Sequence, residues 1–261
     1  KLLCYATGGP ANYPVDKLLQ KVEYYMSLGF KAVKVSVGEF CNGRFITSKE
    51  PEQAAEIEYN KMLAIEKRFG SELKFMLDGH MGNWPDINTA WNFETASFVI
   101  KALEEFNIFF FEEPIHYNQR SGYARLATSS KIPIAGGECL AGLSEWQPYI
   151  DDDCFNIGQP DAAYVGGLSE FMRIADALAE KGHQIATHSW AAGGGFMQNI
   201  HAGFAAKNTA ILEIAPAYGP MHSEIINDSF VMKNGYVYPP EKPGLGIELT
   251  EQTKKHFSFV K

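Results

Sequence analysis

Ile108-Phe109-Phe110-Phe111-Glu112-Glu113-Pro114 is a short apolar run that ends abruptly in two carboxylates and a proline. Seven other β-rich runs resemble it: 2–6, 32–37, 73–77, 132–135, 154–157, 184–186 and 210–214. Between them lie amphipathic stretches of helical length, among them 15–28, 51–69, 89–106, 168–181 and 197–206. The helix boundaries carry the usual signals. Ser48 stands before Pro51 and Glu52, and Pro14 before Asp16. Gly29, Gly70 and Gly182 follow three of the helical patterns, where a left-handed terminal residue is wanted.

A repeat of roughly 30 residues is the size of one βα unit. Regular strand–helix alternation predicts a parallel sheet covered by helices. Eight units can close into a TIM-type α/β barrel, for which about 250 residues is typical. The rival is an open doubly wound sheet. No GxGxxG follows the first strand, however, and polar residues lie at the ends of many strands rather than at one crevice. The barrel is therefore expected over residues 1–216. Residues 217–261, with Pro239-Pro240 and Pro243-Gly244, read as an extension that packs back on something.

Composition narrows the possibilities further. The chain has 261 residues, 46% of them hydrophobic, with 18 Phe, 12 Tyr and 4 Trp. At that length roughly three quarters of the unfolded surface can be buried, which excludes a small disulfide-stapled module. A net charge of −8 argues against general nucleic-acid binding. It leaves room for an anionic small substrate in a local positive site. No apolar run approaches the ~18 residues of a membrane span. Cys4, Cys41, Cys139 and Cys154 form no CxxC pair, so reduced core thiols and a cytoplasmic location are expected. The chain opens directly on a strand-like run, without an initiating Met or a signal-peptide pattern, so a segment is expected upstream.

In a barrel of this kind the active site sits at the C-terminal ends of the strands. Read in order, those ends present Lys34 and Ser36, Asp78 and His80, Glu112, Glu138, Asp161, His188, and Glu213. Asp78, Glu112 and Glu138 come from three consecutive strands, which lie about 4.8 Å apart. Three converging carboxylates must be neutralised by a cation or by protons. An oxygen-only set selects a hard ion, Mg²⁺ before Mn²⁺ or Ca²⁺. The alternative is that they bind a basic side chain from the barrel interior; Lys34 is the one cation on a neighbouring strand end. Asp161 and His188 come from adjacent strands. A carboxylate bonded to one imidazole nitrogen fixes the tautomer and leaves the other to move a proton.

These residues resemble the enolase superfamily and, within it, the mandelate racemase-like group. The resemblance is carried by Lys31-Ala32-Val33-Lys34-Val35-Ser36-Val37-Gly38, Phe111-Glu112-Glu113-Pro114, Gly136-Gly137-Glu138, Gln159-Pro160-Asp161, Gly166-Gly167 and His188-Ser189. It covers nearly all of residues 1–216 in the family's order. It implies a (β/α)7β barrel in which Asp78, Glu112 and Glu138 hold one Mg²⁺, which in turn holds a substrate carboxylate. His188, backed by Asp161, is then the base that takes the proton α to that carboxylate, and Glu213 bonds the developing enediolate. The family also carries an N-terminal α+β capping domain, which this chain is expected to lack. Residues 217–261 would join that cap.

The pattern departs from the racemases at Ser36, where they resemble Lys-x-Lys with the second lysine as an opposing base. A serine hydroxyl is too weak a base for that task. Lys34 is left to polarise the substrate carboxylate. One base suffices if the intermediate expels a β-hydroxyl, and His80, two residues past Asp78, is placed like the acid of sugar-acid dehydratases acting on galactonate. Capping of the following helix is the plainer role for His80. Ser36 and Trp190 are expected to contact substrate, with Trp84 also near the mouth. Glu113 should point away from Glu112 along the strand, and Gly193-Gly194-Gly195 reads as a loop able to cradle an anion. His116, His183, His201, His222 and His256 belong to no constellation.

The resulting expectation is a Mg²⁺-dependent aldonate or aldarate dehydratase making a 2-keto-3-deoxy acid, a homo-oligomer with no nucleic-acid or membrane partner. The rivals are a racemase, epimerase or cycloisomerase on the same scaffold, and a ligand-binding barrel without turnover.

Overall fold

The structure is a computed structural model that describes residues 1–8, 13–41, 44–83, 90–216, 224–226 and 229–258, with backbone alone for 39–41 and 44–46. Trp84 and His222, both named above, lie outside the described residues. The barrel strands are β1 (Leu2–Ala6), β2 (Ala32–Ser36), β5 (Lys74–Asp78), β6 (Ile108–Glu112), β7 (Ile134–Gly136), β8 (Ile157–Gly158), β9 (Gln184–Thr187) and β10 (Thr209–Ile214). Each pairs in parallel with the next. The ring closes where Cys4, Tyr5 and Ala6 of β1 pair with Leu212, Glu213 and Ile214 of β10. Closure leaves no barrel edge, which separates this fold from the open doubly wound sheet.

Tyr5, Ala32, Met76, Phe110, Ala135, Ile157, Ala186 and Ile211, one from each barrel strand, form a single buried cluster. Small and large side chains share that layer, as a narrow closed ring requires. The register of this layer decides the site. Side chains two residues apart along a strand share a face. The next inward positions are therefore Thr7, Lys34, Asp78, Glu112, Gly137, Gln159, His188 and Glu213. Glu113, one residue past Glu112, falls on the opposite side, as expected. A second, larger cluster lies between the strands and the helices, including Phe75, Leu77, Phe111, Ile134 and Leu212 from the outward faces.

The helices include α1 (Val15–Ser27), α2 (Pro51–Phe69), α3 (Phe93–Leu103), α4 (Arg120–Ser129), α5 (Gly142–Asp151), α6 (Leu168–Glu180) and α7 (Gly193–Ala205). Proline opens α2, and the Asn92 side chain caps α3 by accepting the Thr95 N–H. Two expectations change. The Gly193–Gly195 run opens helix α7 rather than forming a loop. The sixth run, expected to begin as a strand at Cys154, pairs only at Ile157 and Gly158. The glycine at 158 is packing-driven, since a Cβ there would lie 2.4 Å from Leu178 and 3.0 Å from Trp146.

Two small hairpins were not read from the sequence. β3 (Glu39–Cys41) pairs with β4 (Arg44–Ile46), beyond the end of β2. In the extension, β11 (Met232–Lys233) pairs with β12 (Tyr236–Val237), and β12 adds antiparallel to Leu2 and Leu3 of β1. Val237 is fully buried there, and Cys4 donates its N–H to Gly235 at 3.0 Å. This part of the extension thus packs on the barrel itself. Cys4, Cys139 and Cys154 are free thiols, the first and last buried. No described helix is long and apolar enough to cross a membrane.

Candidate active site

The inward positions above the aromatic and aliphatic layer meet in a cavity of about 550 Å³ lined by Lys34, Ser36, Asp78, His80, Glu138, Asp161, His188, Trp190 and Glu213. Nine of the ten residues expected to form the site thus share one mouth. Glu112, the tenth, is fully buried beneath it. Thr7, Cys139 and Tyr164 also line this cavity and had not been singled out as site residues.

Lys34 sits at the base. Its Nζ lies 2.6 Å from Glu112 Oε2 and 3.1 Å from both Asp78 Oδ2 and Glu213 Oε1. All four groups are at most 7% exposed. Burial opposes the ammonium, but the three carboxylates hold its proton well above the ordinary lysine range. The basic-side-chain alternative is therefore realised for Asp78 and Glu112, and Glu213 joins them. Lys34 hydrogen-bonds Glu112 and ion-pairs with Asp78 and Glu213, so it reaches a substrate by giving up one carboxylate. Burial alone would raise the Glu213 carboxyl; Lys34, His188 and the Ser189 N–H at 2.6 Å instead hold it down at about 2. Gln159 donates to Glu112 Oε2 at 2.7 Å.

The second constellation is built on His188. Its Nδ1 lies 2.8 Å from Asp161 Oδ2 and its Nε2 3.4 Å from Glu138 Oε2. Burial pushes the imidazole down, but the Asp161 hydrogen bond and the charges of Glu213 and Glu138 raise it to about 10. Asp161 is itself clamped. Its Oδ1 accepts from the Ala163 N–H and from Asn199 Nδ2, both at 2.8 Å. Asn199, fully buried on α7, also accepts the Ala162 N–H at 2.7 Å. That leaves Oδ2 for His188. Nothing near Asp161 in sequence points to Asn199, because the bond spans 38 residues.

His80 stands at the rim with its side chain 67% exposed and Nε2 3.9 Å from Glu138 Oε1. Its backbone is left-handed (φ +49°), and its N–H donates to Asp78 Oδ1 at 2.8 Å. The two imidazoles thus flank one carboxylate, each facing a different oxygen. Trp190 and Tyr164 are 60% and 56% exposed, which puts two aromatic rings at the mouth.

Asp78, Glu112 and Glu138 do not form a compact triad here, because Lys34 takes the first two and the histidines face the third. Among the described residues, Glu113, Glu138 and Cys139 bring one ligand atom each to within 4.8 Å of the others. The chemistry nevertheless suits a hard divalent cation. Asp78 and Glu112 are paired in register at adjoining strand ends. Buried Glu112 Oε1 has no hydrogen-bond partner. Burial and Asp78 push the Glu112 carboxyl well up, and burial and Glu113 raise Glu138. Five carboxylates (Asp78, Glu112, Glu138, Asp161 and Glu213) face one lysine and two imidazoles, so the site is short of positive charge even with both imidazoles charged.

Known proteins share this architecture. Residues 17–253 match the family described as "Enolase C-terminal domain-like". The chain is 28% identical over 253 residues to an arabinonate dehydratase of Saccharolobus solfataricus, covering 96% of this chain and 62% of that protein. It is also 28% identical to an L-talarate/galactarate dehydratase of Salmonella typhimurium, covering 97% of this chain and 56% of the relative. It spans less than two thirds of the length of either. A crystal structure of an L-talarate dehydratase from Polaromonas sp. JS666, complexed with Mg and L-glucarate, superposes with a TM-score of 0.79. The two are 24% identical, with 97% of this chain and 63% of that one covered, a likeness of fold. With the family match covering most of its length, this chain belongs to the enolase C-terminal domain-like family.

Proposed function

We propose that the chain is the catalytic barrel of a Mg²⁺-dependent sugar-acid dehydratase acting on an aldonate or aldarate. The observation that carries the reading is the His188–Asp161 pair at 2.8 Å, facing a mouth in which Ser36, not a second lysine, lines the β2 side. The relatives named as dehydratases of arabinonate and of talarate and galactarate support it.

Asp78, Glu112 and Glu138 are the residues that would hold Mg²⁺, which supplies positive charge to a substrate carboxylate and so acidifies its α C–H. His188 takes the C2 proton through Nε2 in its neutral form, which is favoured once the charges of Glu138 and Glu213 that hold its proton are compensated, while Asp161 keeps Nδ1 protonated. Lys34, released from Glu213, donates to the substrate carboxylate, and Glu213, protonated in place of that ion pair, donates its O–H to the oxygen on which charge develops. The electron pair left at C2 then forms a C2–C3 double bond as the C3–O bond breaks. His80 gives a proton to the departing hydroxyl, so water leaves and the enol tautomerises to a 2-keto-3-deoxy acid. Ser36 and Trp190 contact the sugar chain. On this reading residues 217–261 adjoin a capping segment, and the protein is a cytoplasmic homo-oligomer.

The test is to incubate the whole protein with Mg²⁺ and a panel of aldonates and aldarates, assaying for 2-keto acids. One acid should yield a keto product with loss of water. Exchange of the α proton with inversion and no keto acid would replace the reading with a racemase or epimerase. Isomerisation without water loss would point to a cycloisomerase, and binding without turnover to a ligand-binding barrel.

A further inference from the structure

Glu113 follows the candidate metal ligand Glu112, yet the reaction above does not use it. It is 1% exposed and has a left-handed backbone (φ +42°), which an L side chain rarely adopts. Such strain persists only where surrounding contacts hold it. Those contacts reach the loops on both sides. The Glu113 N–H donates to Ala135 O at 3.0 Å, and Glu113 O accepts the Met81 N–H at 3.1 Å. Oε2 accepts the Gly82 N–H at 3.0 Å, and Oε1 accepts the Tyr117 hydroxyl. The Tyr117 oxygen in turn accepts the Gly137 N–H at 2.7 Å.

One buried carboxylate therefore joins the loop after β5, which carries His80, to Gly137 just past β7, one residue before Glu138. The fit is close. A Cβ on Gly82 would stand 2.5 Å from Glu113 Cδ, and one on Gly79 would stand 2.4 Å from Glu113 O. Both side-chain oxygens are engaged by these donors, which does not suit a primary metal ligand. We propose that Glu113 is a positioning residue: with Tyr117 it clasps the His80 and Glu138 loops together and so sets the affinity of the mouth for Mg²⁺. This rests on the assignment of Glu138 as a metal ligand made above. A carboxylate that orients ligands from behind is worth ~10–100-fold in metal affinity.

The test uses the full chain with Glu113→Gln and Tyr117→Phe. Mg²⁺ alone is titrated by calorimetry, and amide hydrogen exchange is followed residue by residue. A glutamine can accept one of the two donors but not both. Glu113→Gln should weaken Mg²⁺ binding about tenfold or more and speed exchange at Gly82 and Gly137. Tyr117→Phe should speed Gly137 and leave Gly82 protected. Wild-type Mg²⁺ affinity in Glu113→Gln, or unchanged exchange at both glycines, overturns the clasp. So does faster exchange spread evenly through the barrel strands, which marks a merely structural role. A wild-type chain that binds Mg²⁺ but dehydrates no sugar acid overturns the proposed function and leaves the clasp standing. One that binds no Mg²⁺ overturns both the metal assignment and this inference.

Discussion

Lys34→Met removes one charge from a buried set of four. The lysine touches Glu112 at 2.6 Å and Asp78 and Glu213 at 3.1 Å, with all four groups essentially out of water. Deleting one partner of a buried ion pair typically costs about 3–5 kcal/mol, because the remaining charge is left uncompensated. Protonation sets a ceiling on that loss. A carboxyl with an ordinary value of 4.5 can be kept neutral at pH 8 for about 5 kcal/mol, and at pH 5 for under about 1 kcal/mol, since each unit is ~1.36 kcal/mol. The sign follows from linkage. A carboxyl whose folded value is raised contributes stability that is full below its unfolded value and lost as pH rises through the folded one. The variant should therefore be close to wild type at pH 5 and less stable by about 3–5 kcal/mol at pH 8. Urea titrations at the two pH values, with chelator present, measure this. Adding Mg²⁺ should recover more stability in the variant than in wild type, because the freed carboxylates bind the cation. Equal losses at both pH values, with no differential recovery, would refute the charge-compensation argument and leave only lost packing.

Three further outcomes follow from the same geometry. With chelator present, wild-type stability should decline between about pH 6.5 and 10, because His188 is raised from 6.5 to about 10 and its contribution is lost as pH rises through the upper value. His188→Asn should flatten that decline in thermal or urea melts, by up to a few kcal/mol at the acid end. His80→Ala should lower keto-acid formation by roughly 10²–10⁴-fold while the α proton still exchanges with solvent deuterium, because the proposed reaction assigns abstraction to His188 and departure of the hydroxyl to His80; NMR of the recovered substrate reads both. Saturating Mg²⁺ should stabilise the folded chain by about 2.7 kcal/mol at a hundred times its Kd, and Glu112→Gln should abolish most of that gain.

The strand ends were legible because barrel chemistry obeys a period of two. Once Ala32, Met76, Phe110 and Ile211 are taken as interior residues, Lys34, Asp78, Glu112 and Glu213 must face the same way one step nearer the mouth. The closing of the ring followed from the 30-residue repeat and the span between the first and eighth runs. The hairpins did not, because pairs as short as Met232–Lys233 with Tyr236–Val237 carry too little pattern to stand out. Nor did the run of three glycines announce that it opens a helix.

Residue types and their order along the chain were enough to name the carboxylates, the two histidines and the serine that the barrel brings to one mouth. Their partners could not be read from that order. Lys34 bonds residues 44, 78 and 179 positions away, and Asn199 reaches Asp161 across 38. Hydrogen bonds and ion pairs act over about 3 Å, a separation set by how neighbouring strands and helices pack rather than by distance along the chain. The same limit hid the role of Glu113. Its alternation along β6 shows only that it points away from Glu112, whereas the loops it joins are brought to it by closure of the barrel.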